Sequence, residues 1–292
     1  MSNTLKHSFG NICMKTIYFV AGLPRSGSTL LMNILGQNPR FYVTTTSGIV
    51  STLVSVRNEW DKNKGFIAMG RELSELIKRN VLEGIIQSYF QHTDKSVCID
   101  KSRAWPVYLE MAAAILGGRE KIKVLLTVRD LRDVLASFEL AFRRTSVLSQ
   151  IPFEIEDPIK AMTAVGRMEY FLGNTENVGF AFHAIRDAVT RGWLDCMHFI
   201  EYEQLTKNPK EIMDGIYTFL GESPFTHDFE NVRQVTVEDD FIYGYKDLHT
   251  IRQQVRPQQP QWSKVFDQTV LNSNKWKEIE EICQFWHTYK EE

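Results

Sequence analysis

Residues 16–35, TIYFVAGLPRSGSTLLMNIL, constrain the fold more than any other stretch of this chain. An apolar run at 17–21 stops at Gly22, the loop GLPRSGST fills 22–29, and Leu30, Leu31, Ile34 and Leu35 recur at helical spacing. A strand, a glycine-bounded loop and a helix start together form a phosphate cradle. Backbone N–H groups and the helix N-terminus converge on an anion, and glycine lets the backbone approach it closely. The spacing fits G-x-x-x-x-G-K-[ST] at every position but one, where Ser28 replaces the lysine that grips a nucleotide. A basic residue stands earlier in the loop instead, at Arg25.

Downstream, strands and helices alternate. Residues 48–60 and 71–90 read as helices, 97–99 as a short strand ending in Asp100-Lys101-Ser102, and 105–116 as a helix closed by Gly117-Gly118. The run KVLLTV at 123–128 is a buried strand, followed by Arg129-Asp130 and a helix to about residue 142. Helices are expected at 158–172 and 178–190, a strand at 197–200, a helix at 210–220 after Asn208-Pro209, and a last helix at 274–289. Residues 222–272 read as irregular and rich in Gln and Pro. This alternation predicts an α/β fold, a P-loop NTPase-like three-layer sandwich whose central, mostly parallel sheet carries helices on both faces. Ligands on such sheets sit at the carboxyl ends of the strands, where Asp100, Arg129 and Tyr202 join the 22–29 loop. The expected organisation is a flexible extension over 1–14 and a single domain over 15–292.

A length of 292 residues with 43% hydrophobic content supplies the core of one large α/β domain. A net charge of −2 gives no electrostatic case for nucleic acid, and Arg143-Arg144 read as a solvated helix face. The four cysteines, Cys13, Cys98, Cys196 and Cys283, are far apart, and Cys98 and Cys196 lie in apolar runs, as inert buried thiols do. The expectation is a soluble protein of a reducing, cytoplasmic compartment. The apolar segment after Lys15 is too short for a signal peptide, and no stretch approaches the roughly 20 apolar residues that span a bilayer.

A second motif lies in VLLTVRDLRDVLASF, 124–138, where Arg129 leaves a strand and Ser137 follows on the helix. An arginine fork and a hydroxyl can clamp a second phosphate. With these motifs in place, the chain resembles the sulfotransferase family that uses 3′-phosphoadenosine 5′-phosphosulfate. The loop is closest to that of the tyrosylprotein and bacterial branches, where arginine replaces lysine. The resemblance implies that GLPRSGST binds the 5′-phosphosulfate through Arg25, Ser26, Gly27, Ser28 and Thr29. It implies that Arg129 and Ser137 bind the 3′-phosphate, and that Tyr202, in YEQLTKNPKEIMDGIYTFLG, lies beside the adenine. Lys101 matches a lysine that stabilises the transferring group. A late loop in the family adds cations to the 3′-phosphate, and Arg252 is the candidate for that role. The resemblance covers roughly residues 15–221.

The implied reaction is in-line sulfuryl transfer to a hydroxyl, less readily an amine, on a small-molecule, carbohydrate or peptide acceptor. Adenosine 3′,5′-bisphosphate is the product and no metal is expected. Charge growing on the leaving oxygen requires fixed cations and backbone donors, with Arg25, Lys101 and the amides of 26–29 as candidates. The base is the open position. The tyrosylprotein branch carries a glutamate just beyond the first helix, where this chain has Val43-Thr44-Thr45-Thr46-Ser47, a run that contacts the acceptor or lines its entrance. Asp100, Glu59 and His249 are the candidates by chemistry. Phe41, Tyr42, Trp60, Trp105 and Phe142 belong either to an acceptor pocket or, more commonly, to the core. Two other readings remain: a P-loop kinase or NTPase with Asp130 as magnesium ligand, and a non-catalytic nucleotide-binding protein.

Overall fold

A computed structural model describes residues 14–147 and 158–289. Apart from Met14, the expected N-terminal extension lies outside the described residues, as does Cys13. Five strands, β1 Thr16–Gly22, β2 Phe41–Thr46, β3 Val97–Lys101, β4 Val124–Val128 and β5 Met197–Glu201, form a sheet in the order β2-β3-β1-β4-β5. Every pairing is parallel, so the sheet is fully rather than mostly parallel. Parallel neighbours need crossovers, and α1 Ser28–Leu35, α2 Ile49–Lys62, α3 Lys64–Ala68, α4 Arg71–Tyr89, α5 Leu109–Leu116 and α6 Leu131–Val147 supply those of the first four strands. After them come α7 Pro158–Met162, α8 Ala164–Phe171, α9 Asn177–Thr190, α10 Tyr202–Lys207, α11 Pro209–Leu220, α12 Trp262–Val265, α13 Gln268–Leu271 and α14 Asn274–Ile282.

The central strands are buried on both faces because successive side chains alternate. On β1, Phe19 and Ala21 join one core with residues of α2, α5, α6 and α9, while Tyr18 and Val20 join a second with α1 and α11. Three layers result. Phe41, Trp60 and Trp105 are buried, and Tyr42 and Phe142 pack against the larger core, so the aromatics weighed as a pocket are core residues. Cys98 and Cys196 are buried free thiols, and burial pushes the Cys98 thiol up to about 11.

Local chemistry explains where elements depart from expectation. FYVTTT, whose threonines read as a polar run, is an edge strand, since β-branched residues suit a half-buried pleat. The helix expected at 158–172 breaks at Thr163, whose hydroxyl accepts from the Gly166 amide and caps α8. The last helix ends at Ile282, and residues Phe285–Tyr289 form a 3-10 turn. The irregular late segment is pinned by backbone bonds from Val232 N to Gln253 O and from Val255 N to Phe229 O. Among the described residues, no helix is long and apolar enough to cross a membrane.

Candidate active site

A cavity of about 620 Å³ opens at the carboxyl ends of β1, β3 and β4. Its floor is the 22–29 loop. Gly22, at φ 131°, ends β1 so close to β4 that a Cβ there would meet Thr127 O at 2.0 Å. Gly27, at φ 87°, lies under Tyr202, whose Cδ2 a Cβ would meet at 2.5 Å. Gly27 is also the N-cap of α1, which has no side-chain cap and no acidic residue in its first turn. The first helical amides are therefore left for a ligand. Ser28 and Thr29 line the cavity beside them.

Ser26 does not line it. Its hydroxyl, 1% exposed, turns inward to Leu23 O, Thr127 O and Thr127 Oγ1, so only its amide can serve an anion. This hydroxyl holds the loop onto β4, and the amide is the group that the sequence reading put forward.

Arg25, with a left-handed φ of 61°, crosses the cavity, and its Nε donates to Ser137 Oγ at 3.0 Å while its Nη1 donates to Leu248 O. Burial, followed by repulsion from Arg144 and Arg129, lowers its pKa to about 10. Arg129 leaves β4, bonds Asp133 at 3.3 Å and Arg25 O at 3.3 Å, and lies 4.6 Å over the Tyr202 ring. Among the described residues its buried Nε has no hydrogen-bond partner. Burial also raises the Tyr202 hydroxyl pKa. Arg129, Ser137, Tyr202 and Arg252 all line the cavity together with Arg25.

At the β3 end, alternation separates two neighbours. Lys101 faces the cavity, and its Nζ lies 3.0 Å from Glu238 Oε1; burial lowers its pKa more than this carboxylate raises it. Asp100 points to the opposite face. It is 0% exposed and accepts from Trp105 Nε1 at 2.8 Å, and burial raises its carboxyl to about 6 against the lowering influence of Ser47 and Trp105. Asp100 does not line the cavity, so the structure does not bring this candidate base to a molecule held there. Glu59 is exposed on α2 and does not line the cavity either.

His249 does line it. Its Nδ1 lies 2.6 Å from Asp240 Oδ1 and 3.7 Å from Glu238 Oε2. Burial, then Lys101, lowers its pKa, against the raising effect of both carboxylates. Of the 43–47 run, Thr46 alone lines the cavity, and its amide donates to Glu238. Thr44 is buried and accepts from the Lys101 amide. Asp130, the candidate magnesium ligand, is bound by Arg132 through Nε at 2.9 Å and Nη2 at 2.6 Å. Among the described residues, no group of three or more His, Cys, Asp or Glu could hold a metal ion. Sequence reading missed Glu238, Asp240 and Tyr243. The run VEDDFIY has neither period nor motif, and its only signal is acidity close to His249.

A family model described as the sulfotransferase family matches residues 18–227. No curated protein matches the sequence. Among solved structures, the sulfotransferase domain from the curacin biosynthetic pathway is 15% identical, with a TM-score of 0.47 and coverage of 92% of this chain and 96% of that one. The sulfotransferase domain of the Synechococcus PCC 7002 olefin synthase is 17% identical, with a TM-score of 0.45, covering 94% and 97%. Mouse sulfotransferase SULT7A1, complexed with PAP, is 13% identical, with a TM-score of 0.46, covering 92% and 91%. At these TM-scores the likenesses add nothing to the family match.

Proposed function

This chain belongs to the sulfotransferase family, and from that premise we propose that its sulfuryl donor is 3′-phosphoadenosine 5′-phosphosulfate and its acceptor a hydroxyl. The observation that carries the donor assignment is Arg129: a cavity-lining guanidinium, buried, its Nε without a hydrogen-bond partner among the described residues and its Cζ 4.6 Å from the Tyr202 ring centre. A cation in that state fits a phosphate, and a ring beside it fits a purine face. The uncapped start of α1 fits the second anionic group.

The donor supplies the sulfuryl group, and the departing phosphate oxygen keeps the electron pair of the broken S–O bond. In this reading the amides of 26–29, with Ser28 and Thr29, hold the phosphosulfate. Arg129, Ser137 and Arg252 hold the 3′-phosphate, and Tyr202 packs on adenine. Arg25 and Lys101 stabilise charge on the leaving oxygen. His249 accepts the acceptor proton: burial and Lys101 keep its ring neutral at neutral pH, as a base requires. Glu238, Asp240 and His249 lie beyond the family match, and their place beside Lys101 supports treating 15–292 as one domain.

Thermal unfolding with adenosine 3′,5′-bisphosphate, and separately with Mg-ATP, tests the donor. Ligand at a hundred times its Kd stabilises a protein by about 2.7 kcal/mol. The bisphosphate is expected to raise Tm in wild type, with the shift largely lost in Arg129→Ala. A shift with Mg-ATP alone overturns the reading.

A further inference from the structure

We propose that Asp240 is the positioning residue for His249, fixing its ring proton on Nδ1 and leaving the Nε2 lone pair for the acceptor hydroxyl; this rests on the reading of His249 as the base. Asp240 opens a 3-10 turn, Asp240–Tyr243, that is capped by the Asp239 side chain and closed by Gly244 at φ 72°. From there one carboxylate grips His249 twice. Asp240 Oδ1 lies 2.6 Å from Nδ1, and Oδ2 accepts from the His249 backbone amide at 2.9 Å. A carboxylate only accepts, so Nδ1 must donate, and the neutral ring keeps its lone pair on Nε2.

Glu238 holds the same segment against the sheet. Its Oε1 binds Lys101 Nζ at 3.0 Å and the Thr46 amide at 2.9 Å, while Oε2 accepts from Tyr243 OH at 3.3 Å. Neither carboxylate lines the cavity, whereas His249, Lys101 and Tyr243 do. Both acidic groups therefore act through the residues they hold. When transfer occurs, the acceptor O–H proton passes to Nε2 as the acceptor O–S bond forms and the S–O bond to phosphate breaks. Asp240 then balances the imidazolium charge, and the proton later leaves to solvent.

Two readouts test this, one independent of any acceptor. Long-range 1H–15N spectra of the histidine rings at pH 8 are expected to show His249 protonated on Nδ1 in wild type. The groups facing this ring are Lys101 from β3 and Glu238, Asp240 and Tyr243 from its own segment. Asp240 raises the ring's affinity for a proton, so Asp240→Asn should move its titration to lower pH and release the Nδ1 tautomer. With phenol as the probe acceptor, whose hydroxyl stays protonated at pH 8, Asp240→Asn should lower turnover about a hundred- to ten-thousand-fold. Bisphosphate affinity should stay within twofold, which also verifies folding. In a His249→Ala background the same substitution should cost nothing further. An Nε2–H tautomer in wild type overturns the proposal, as does an unchanged tautomer in Asp240→Asn or a loss that persists without His249. Failure of wild type to bind the bisphosphate sinks the donor assignment instead, and the tautomer then judges Asp240 alone.

Discussion

Asp100 and Lys101 are neighbours on one strand with opposite environments. Lys101 meets the cavity and a carboxylate, while Asp100 meets Trp105, Ser47 and apolar core. Burial without a cation stabilises the neutral acid, which is why its pKa rises to about 6. The folded chain then binds this proton more tightly than the unfolded chain, whose aspartate titrates near about 4. Asp100 therefore subtracts stability progressively as pH rises from about 4 to about 6. Asp100→Asn should match wild type near pH 4 and exceed it by on the order of 1–2 kcal/mol at pH 8, in urea unfolding at both values. Transfer rate should stay within twofold, and a collapse of activity in a stable Asp100→Asn would restore it as a base.

Helix α1 carries more than the anion cradle at its start. Asn33, buried midway along it, donates to Thr29 O at 2.7 Å and to Thr236 Oγ1 at 2.8 Å, and its Oδ1 accepts from the Val235 and Thr236 amides. One side chain thus ties the late irregular segment to the helix whose uncapped start lines the cavity. The segment has little secondary structure of its own, so its place depends on such ties. Asn33→Ala leaves two partly or fully buried amides unpaired, at about 1–3 kcal/mol each before relaxation. Hydrogen exchange over 233–249 should accelerate, and turnover should fall more than bisphosphate affinity, because the proposed base, His249, is displaced while α1 remains. Unaltered exchange in that segment would mean that other contacts hold it.

Across the whole molecule, charge is nearly balanced at −2, yet among the described residues the cavity is lined by lysine and arginine side chains and by no aspartate or glutamate. Its carboxylates, Glu238 and Asp240, sit behind the residues they hold. Net charge is thus a poor guide to the ligand, since field strength follows local arrangement within about a Debye length. Bisphosphate affinity should weaken by about tenfold or more between about 0.05 and 0.5 M salt, measured by titration calorimetry. A flat salt response would count against these cations as the donor's partners.

Much of the fold was legible because its signals are local. The apolar run before Gly22, the uncapped helix after it and the spacing of Arg129 and Ser137 each lie within a single strand-loop-helix unit, and alternation of such units implies a parallel sheet. β2 was missed because three threonines hide a pleat whose partners lie elsewhere in the sequence. Asp100 and His249 could not be ranked from sequence, since either can take a proton chemically. The sheet turns Asp100 into the core, and Lys101 meets Glu238 across 137 residues. Asp240 reaches His249 over a segment without period or repeated motif. What the sequence alone determined is the anion cradle and the layered α/β frame, through periodicity and turn chemistry. Only the tertiary structure decided which acid is buried, which candidate base faces the cavity and what holds it, because those depend on contacts between distant residues.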